Sequence, residues 1–505
     1  MISLKNQSET ISSNQLIMLG NTMNSPFNHD KAPFGNSHGP MLTGVFAPVL
    51  SEECLTDLPV EGKIPNDLNG VYLRNGPNPR FKPKGSYHPF DGDGMIHSAH
   101  FENGKLTYRN KWIRTDGWLE NDRQGQESHW GIMNSLKGRK DRPMADAANT
   151  DVIGHAGNAV ATWYLAGKSY FLDPVTLDTI GSKDYSRSPG QGMSAHPKVD
   201  EVTGEMMFFD YFDYAPFMAY GVIDKEGKLI HHVPIVLPGN RLPHDMGITQ
   251  NYSILHDLPV YHDEDALAAG RHKIRFNSSM NSRFGVIPRY GKSEEIKWFE
   301  FTPCFLYHVI NCWEEGDEVV MTACRFMPTK DTNGEIDEIK TAKMIANLGM
   351  EARLWRYRMN VKSGECREEC LNADYNCEFP SYDTQLTGMH SQYAYLVDHN
   401  PETLHWTGLR KFNTDTGESL GSWSDGPAHC WYSEPWFAPA DNQASEDHGY
   451  VICFMWNDKL QIQELQIFDA QNISRGPVAR VSLPHAIPVG FHACWMKPTQ
   501  INIAK

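Results

Sequence analysis

One local unit recurs along this chain and limits what the chain can become. It is a short run of β-branched and aromatic residues, a tight turn built around Gly, and a second such run. It reads "FENGKLTYR" at 101–109, "KVDEVTGEMMFF" at 198–209, "VIDKEGKLIHH" at 222–232, "MNVKSGECRE" at 359–368 and "KFNTDTGESLGSW" at 411–423. Each is a strand, an Asp-, Asn- or Ser-containing turn with the positive-φ tolerance of Gly, and a returning strand. So many antiparallel hairpins leave unpaired edges unless the sheet closes on itself. The expected class is therefore all-β. Radial repetition, as in a β-propeller, meets the edge problem best. The spacing is too irregular to count blades, and a large sandwich is the alternative. Helical pattern is scarce; "DEDALAAGRHK" (263–273) and "EIKTAKMIANL" (338–348) are the candidates.

Residues 1–43 are rich in Asn, Ser, Gly and Pro without a sustained period, and are expected to form an extended or poorly ordered arm. From 44 to 505 there is no linker-like gap, so a single domain is expected. With a net charge of -16, the surface is wrong for nucleic acid and for anionic lipid. No run approaches the ~18–20 apolar residues that span a bilayer. The first residues lack an apolar signal core, so a cytoplasmic location with reduced thiols is expected. Cys366, Cys370 and Cys377 lie close in sequence, but their spacing fits no standard zinc pattern.

The stretch "CFLYHVINCWEEGDEVV" (304–320) carries one histidine, His308, inside an apolar run. A lone histidine there is ordinarily a satisfied core residue. Three others share its setting at turn or strand ends: His196 in "SAHPKVD", His244 in "PHDMGI" and His492 in "VGFHACW". Their separations of 48, 64 and 184 residues exclude a local metal finger, but suit blades that each send one imidazole to a common axis. Pattern alone does not select these four over His97, His100 or His155. His231, His232, His256, His262, His272 and His448 sit among polar residues and are expected at the surface.

At these histidines, and at "GVYLRNGPNPRF" (70–81) and "HPFDGDGMIHSAHF" (88–101), the chain resembles the carotenoid cleavage oxygenase family. The resemblance runs from about 44 to 497, and its motifs fall in order: "RNGPNP", "DGDGM", "NTDVIGHAG", "AHPKVDEVTGE", "HDMGIT", "FGVIPRYG", "HVINCWEEGDEV", "EFPSYD", "YSEPWFAP" and "GFHACW". It implies a seven-bladed β-propeller, with a few helices and loops capping one face over the metal. It also implies a ferrous ion held by His196, His244, His308 and His492, and cleavage of a C=C bond by O2 into two carbonyls. Imidazole suits Fe(II), and four neutral rings leave the ion its full charge. The resemblance further implies glutamates that accept the outer ring N–H of three histidines. Glu378 should support His308, and Glu434 should support His492. Where a third glutamate is expected, beside His244, this chain has Tyr164. Asp91 and Asp93 are read as architectural rather than as a calcium loop.

The implied partners are O2 and an apolar alkene in an aromatic-lined tunnel. A carotenoid or apocarotenoid is slightly preferred over a stilbene or phenylpropanoid. Stilbene cleavers of the family orient a phenol with a tyrosine and a lysine; here Trp112 stands where that tyrosine is expected, with Lys137 or Lys140 as the lysine. The interval 257–284 is mostly polar, so at most transient membrane contact is expected. Two other readings keep the fold: a Lewis-acid isomerase–hydrolase, and a non-catalytic ligand-binding propeller.

Overall fold

The computed structural model describes residues 33–34, 40–132, 134, 145–165, 167–185, 192–268, 274–328, 345–346, 348–400 and 405–501. Every recurrent hairpin read from the sequence is present. The turn glycines Gly104, Gly204, Gly227, Gly364 and Gly417 all have φ between +73° and +81°, a backbone region that side-chain-bearing residues avoid.

The hairpins assemble into seven antiparallel sheets around one axis. Blade two runs from the inner strand Asp151–His155 outward to Thr179–Lys183. Blade three runs from Lys198–Asp200 to Leu229–Val236, and blade four from Gly247–Ile248 to Lys297–Phe301. Blade five runs from Phe305–Glu315 to Cys366–Asn372, and blade six from Cys377–Ser381 to Ser419–Trp423. The ring is closed from both ends of the chain. The last strand, Ala493–Met496, supplies the inner edge of blade one by pairing with Gly70–Pro77. The early strand Val60–Gly62 pairs with Pro477–Leu483 at the outer edge of blade seven. A small sheet of Val260–His262, Ile274–Phe276 and Ile345–Ala346 lies outside the ring.

The core lies between the blades. One cluster joins Phe284, Phe305, Val309, Met321, Tyr357 and Leu396 across blades four to six. Another joins Tyr72, Phe454, Ile467, Val481 and Trp495 across the closure. Polar residues that the strand alternation turns inward are tied down; Arg289 bridges Asp200 and Glu205 and donates to the Thr249 carbonyl.

Several expectations change. Of the helix expected at 263–273, Glu264–Ala268 is helical and the remainder after Ala268 lies outside the described residues. The segment 338–348 is not a helix where it is described: Ile345–Ala346 is a strand, and Leu348 begins another. The longest described helix, Asp116–Gln124, was not anticipated. It is nevertheless capped as its sequence allows, with the Thr115 hydroxyl accepting from Trp118 N and Gly125 in left-handed conformation. His256 is buried against Phe284, with ring centroids 5.1 Å apart. His231, His232, His262 and His448 are half-buried, and His272 lies outside the described residues. The expected arm lies outside them too, except for 33–34 and 40–43. No described helix is long and apolar enough to cross a membrane.

Asp91 and Asp93 do serve the architecture. Asp91 accepts from His88 N and Ile132 N, and Asp93 accepts from Arg80 N. Burial pushes both, and Asp146 in the same cleft, up to about 7. The folded chain therefore holds these protons up to about pH 7, whereas the unfolded chain releases them near 4. Stability should fall as pH rises between those values and be flat above. Asp93→Asn should raise stability at pH 8 by about 1–2 kcal/mol, allowing for partial exposure, and change little at pH 4. Thermal melts at the two pH values check this.

Ring closure can be tested at Gly70. Its φ is +147°, and a Cβ there would lie 2.5 Å from the Trp495 ring and 2.6 Å from the Met496 carbonyl oxygen. Gly70→Ala should destabilise by about 2–4 kcal/mol. Calorimetry showing an unchanged melting temperature would mean that the closure is not tightly packed.

Candidate metal centre

Each of the seven blades contributes a residue on or next to its innermost strand to this centre. Blades one, three, four and five contribute His492, His196, His244 and His308. Blade two contributes Asp151, blade six Glu378 and blade seven Glu434. This follows from how a blade begins: the connection from the previous outer strand crosses to the axis, so the first residues of the next inner strand stand closest to it.

The structure brings the four histidines together. All are buried, and one ring nitrogen from each lies within 4.8 Å of the others. His196 Nε2 lies 3.2 Å from His244 Nε2, and His308 Nε2 lies 3.2 Å from His492 Nε2. The outer nitrogens decide what these close pairs mean. His308 Nδ1 is bonded to the Glu378 carboxylate, and His492 Nδ1 to Glu434 Oε1 at 3.0 Å. A carboxylate accepts, so each Nδ1 carries a proton, and in a neutral ring Nε2 then presents a bare lone pair. Two lone pairs facing each other at 3.2 Å repel unless a proton or a metal ion lies between them. With imidazole–metal bonds of about 2.1 Å, that separation corresponds to an angle of about 100° at the ion. The donor set therefore fits a divalent metal.

Electrostatics agree. Burial, reinforced by the neighbouring imidazoles, holds His196, His244 and His308 well below the usual histidine value, so they are neutral. Burial opposes charge on His492 as well, but the adjoining Glu434 carboxylate lifts it.

The backbone is set to aim these groups. His196 has φ +68°, rare for a side-chain-bearing residue, and its N–H donates to Asp151 Oδ2 at 3.0 Å. Phe379, with φ +51°, donates its N–H to Glu378 Oε2 and packs its ring on His308 and His492. Asp245 accepts from Val309 N and pairs with Lys198, each at 2.7 Å.

Two cavities of unlike character meet at the quartet. One, of about 160 Å3, is walled by Phe90, Tyr307, Phe326, Phe379, Trp406 and Phe491 and reaches His244, His308 and His492. The other, of about 110 Å3, reaches His196, His308 and His492 past Asp151, Lys198, Glu201 and Asp245.

Glu378 and Glu434 stand where the resemblance put them. Tyr164 also stands against its histidine, with ring centroids 4.4 Å apart, but not as a hydrogen-bond acceptor. His244 Nδ1 is buried with no hydrogen-bond partner among the described residues. Trp112 does not line the apolar cavity; its indole N–H donates to the Asn78 carbonyl and its ring packs with Met95 and Trp118. Lys137 and Lys140 lie outside the described residues. Cys366, Cys370 and Cys377 form no metal-binding group among the described residues. Sequence reasoning missed Asp151, Lys198 and Asp245, although each sits inside a quoted motif within two residues of a ligand histidine or at the head of "DVIGH".

Three comparisons bear on this centre. The family model for retinal pigment epithelial membrane protein matches residues 46–497. A carotenoid 9,10(9',10')-cleavage dioxygenase of Crocus sativus is 34% identical, covering 91% of this chain and 90% of its own length. An isoeugenol monooxygenase of Pseudomonas nitroreducens is 31% identical, covering 91% and 98%. The crystal structure of Pseudomonas brassicacearum lignostilbene dioxygenase superposes with a TM-score of 0.79 at 26% identity, covering 91% of this chain and 98% of that one.

Carboxylates that orient ligand imidazoles are worth roughly 10–100-fold in metal affinity. Glu378→Ala and Glu434→Ala should each lose metal to a chelator at that level, read as metal content after gel filtration. Stoichiometric retention in both variants would show that the carboxylates do not hold the rings.

Proposed function

This chain belongs to the retinal pigment epithelial membrane protein family, the carotenoid cleavage oxygenases. On that premise we propose that it is a non-haem iron(II) dioxygenase that splits a C=C bond of an apolar substrate into two carbonyl products. The observation that carries the reading is the buried four-imidazole centre with an apolar, aromatic-walled cavity on one side. Held by His196, His244, His308 and His492, ferrous iron would supply the one-electron chemistry by which triplet O2 engages an alkene.

The overall change is balanced without a further reagent. The C=C and O–O bonds break and two C=O bonds form, with O2 accepting the four electrons of the double bond. No proton or external reductant is required. In the apolar cavity, Glu378 Oε2 bonds His308 and Phe379 N, and the Thr150 hydroxyl is turned to Asn149. The aromatic walls exclude water and hold the alkene by shape. Glu378 and Glu434 keep two ligands in the tautomer whose lone pair faces inward.

The substrate is an apolar polyene or an aryl alkene. An apocarotenoid is our first reading, because no tyrosine–lysine phenol anchor is found among the described cavity residues. An aryl alkene is favoured by the modest cavity, smaller than the ~300–1,000 Å3 usual for ligand sites. All ten cysteines are free thiols, which supports a reducing, cytoplasmic setting.

The test is product mass spectrometry under 18O2 with Fe(II)-loaded protein and a panel of β-apocarotenals, resveratrol and propenylphenols. We expect paired carbonyl products, one O2 consumed per cleavage, and loss of turnover in His308→Ala. Turnover that persists under argon would replace this reading with Lewis-acid isomerase–hydrolase chemistry.

A further inference from the structure

The four imidazoles are not supported alike. His308 and His492 bond carboxylates through Nδ1. His196 Nδ1 faces Asp151 at 3.7 Å, and the same carboxylate accepts the His196 backbone N–H. His244 Nδ1 is buried and has no acceptor among the described residues. The nearest carboxylate in sequence, Asp245, is spoken for by Lys198, Val309 N and Met246 N. In place of an acceptor, two rings close around the imidazole: Tyr164 at 4.4 Å and a tilt of 48°, and Tyr307 edge-on at 4.9 Å. The Tyr164 backbone is anchored, its N–H donating to Thr150 Oγ1 and its carbonyl accepting from the Tyr211 hydroxyl.

An imidazole bound to a metal becomes a better donor, and a fixed one, when its outer N–H is accepted by a strong partner. His244 has neither aid; only the packing of aromatic faces restrains its rotation. We propose that Tyr164 is a positioning residue that makes His244 the labile ligand, the one imidazole of the four whose Nδ1 faces an aromatic ring rather than a carboxylate. His244 also faces the apolar cavity, whereas His196 does not. The ligand that yields most easily is therefore one that borders the apolar cavity. The inference rests on the metal reading above and concerns only this chain's own side chains toward the ion.

Cobalt(II) serves as the probe, because its bound imidazole N–H protons give hyperfine-shifted resonances whose exchange with water reports on their acceptors. Cobalt-loaded wild-type protein should show protected N–H signals for His308 and His492, and none for His244. Tyr164→Gln and Tyr164→Glu each place an acceptor beside His244 Nδ1. At least one of them should add a protected N–H signal and slow cobalt release to excess chelator by about 10–100-fold. Tyr164→Phe, which keeps the ring and removes the hydroxyl, should match wild type in both measurements. The inference is overturned if Tyr164→Phe loses a protected signal or releases cobalt tenfold faster, since the phenol would then be the hidden acceptor. It is overturned equally if both acceptor variants, melting like wild type, release cobalt at the wild-type rate. Wild-type protein that takes up no cobalt would sink the metal reading itself, a different failure from either of these.

Discussion

The structure turns on a crowding of imidazole nitrogens that a bound cation would relieve. Glu378 and Glu434 fix the protons of His308 and His492 on the outer nitrogens, so the inner nitrogens confront each other at 3.2 Å with lone pairs forward. Holding neutral imidazoles in that posture requires a frame that cannot relax. A closed ring of seven sheets is such a frame, because moving one inner strand means displacing two neighbours packed against it. The double closure, with Ala493–Met496 inside blade one and Val60–Gly62 outside blade seven, leaves the ring no seam at which to open. His492 directly precedes the closing strand, so the same hydrogen bonds that finish the fold also finish the donor set.

The centre divides the axis into two unlike environments. Toward one side the chain presents aromatic rings; toward the other it presents Asp151, Lys198, Glu201 and Asp245. Hydrophobic burial and ion pairing each stabilise their own side, and the imidazoles, apolar in the ring face and polar at nitrogen, are suited to the boundary. An oxygenase acting on an apolar alkene needs such a boundary: a dry face for the substrate, and a charged scaffold that orients ligands without entering the dry face. The support is uneven around the ion, with carboxylates behind two rings and an aromatic wall behind His244.

Hairpins were legible because their signals are local: a Gly with positive φ between two β-rich runs says turn wherever it occurs. The helix Asp116–Gln124 was legible in its caps, Thr115 and Gly125, but its polar run carried no amphipathic period to draw attention. His256 was misjudged because polar neighbours in sequence say little about a strand residue, whose burial depends on which face its register presents; opposite Phe284 it turns inward. Trp112, expected near the substrate by motif position, packs instead under Arg80 beside Trp118.

By itself the sequence determined that this chain would be all-β, built from repeated hairpins, and, through motifs in order, which histidines and glutamates to watch. Those properties reside in contiguous residues, where turn chemistry and motif spacing act over a few bonds. Tertiary structure alone decided that residues 196, 244, 308 and 492 would meet within 4.8 Å, and that Tyr164 would cover His244 without accepting its proton. It also decided that an apolar and a charged cavity would flank them. These depend on which strands become neighbours around a ring and on side-chain directions a few ångströms from the axis. Separations of 48 to 184 residues carry no local signal of either.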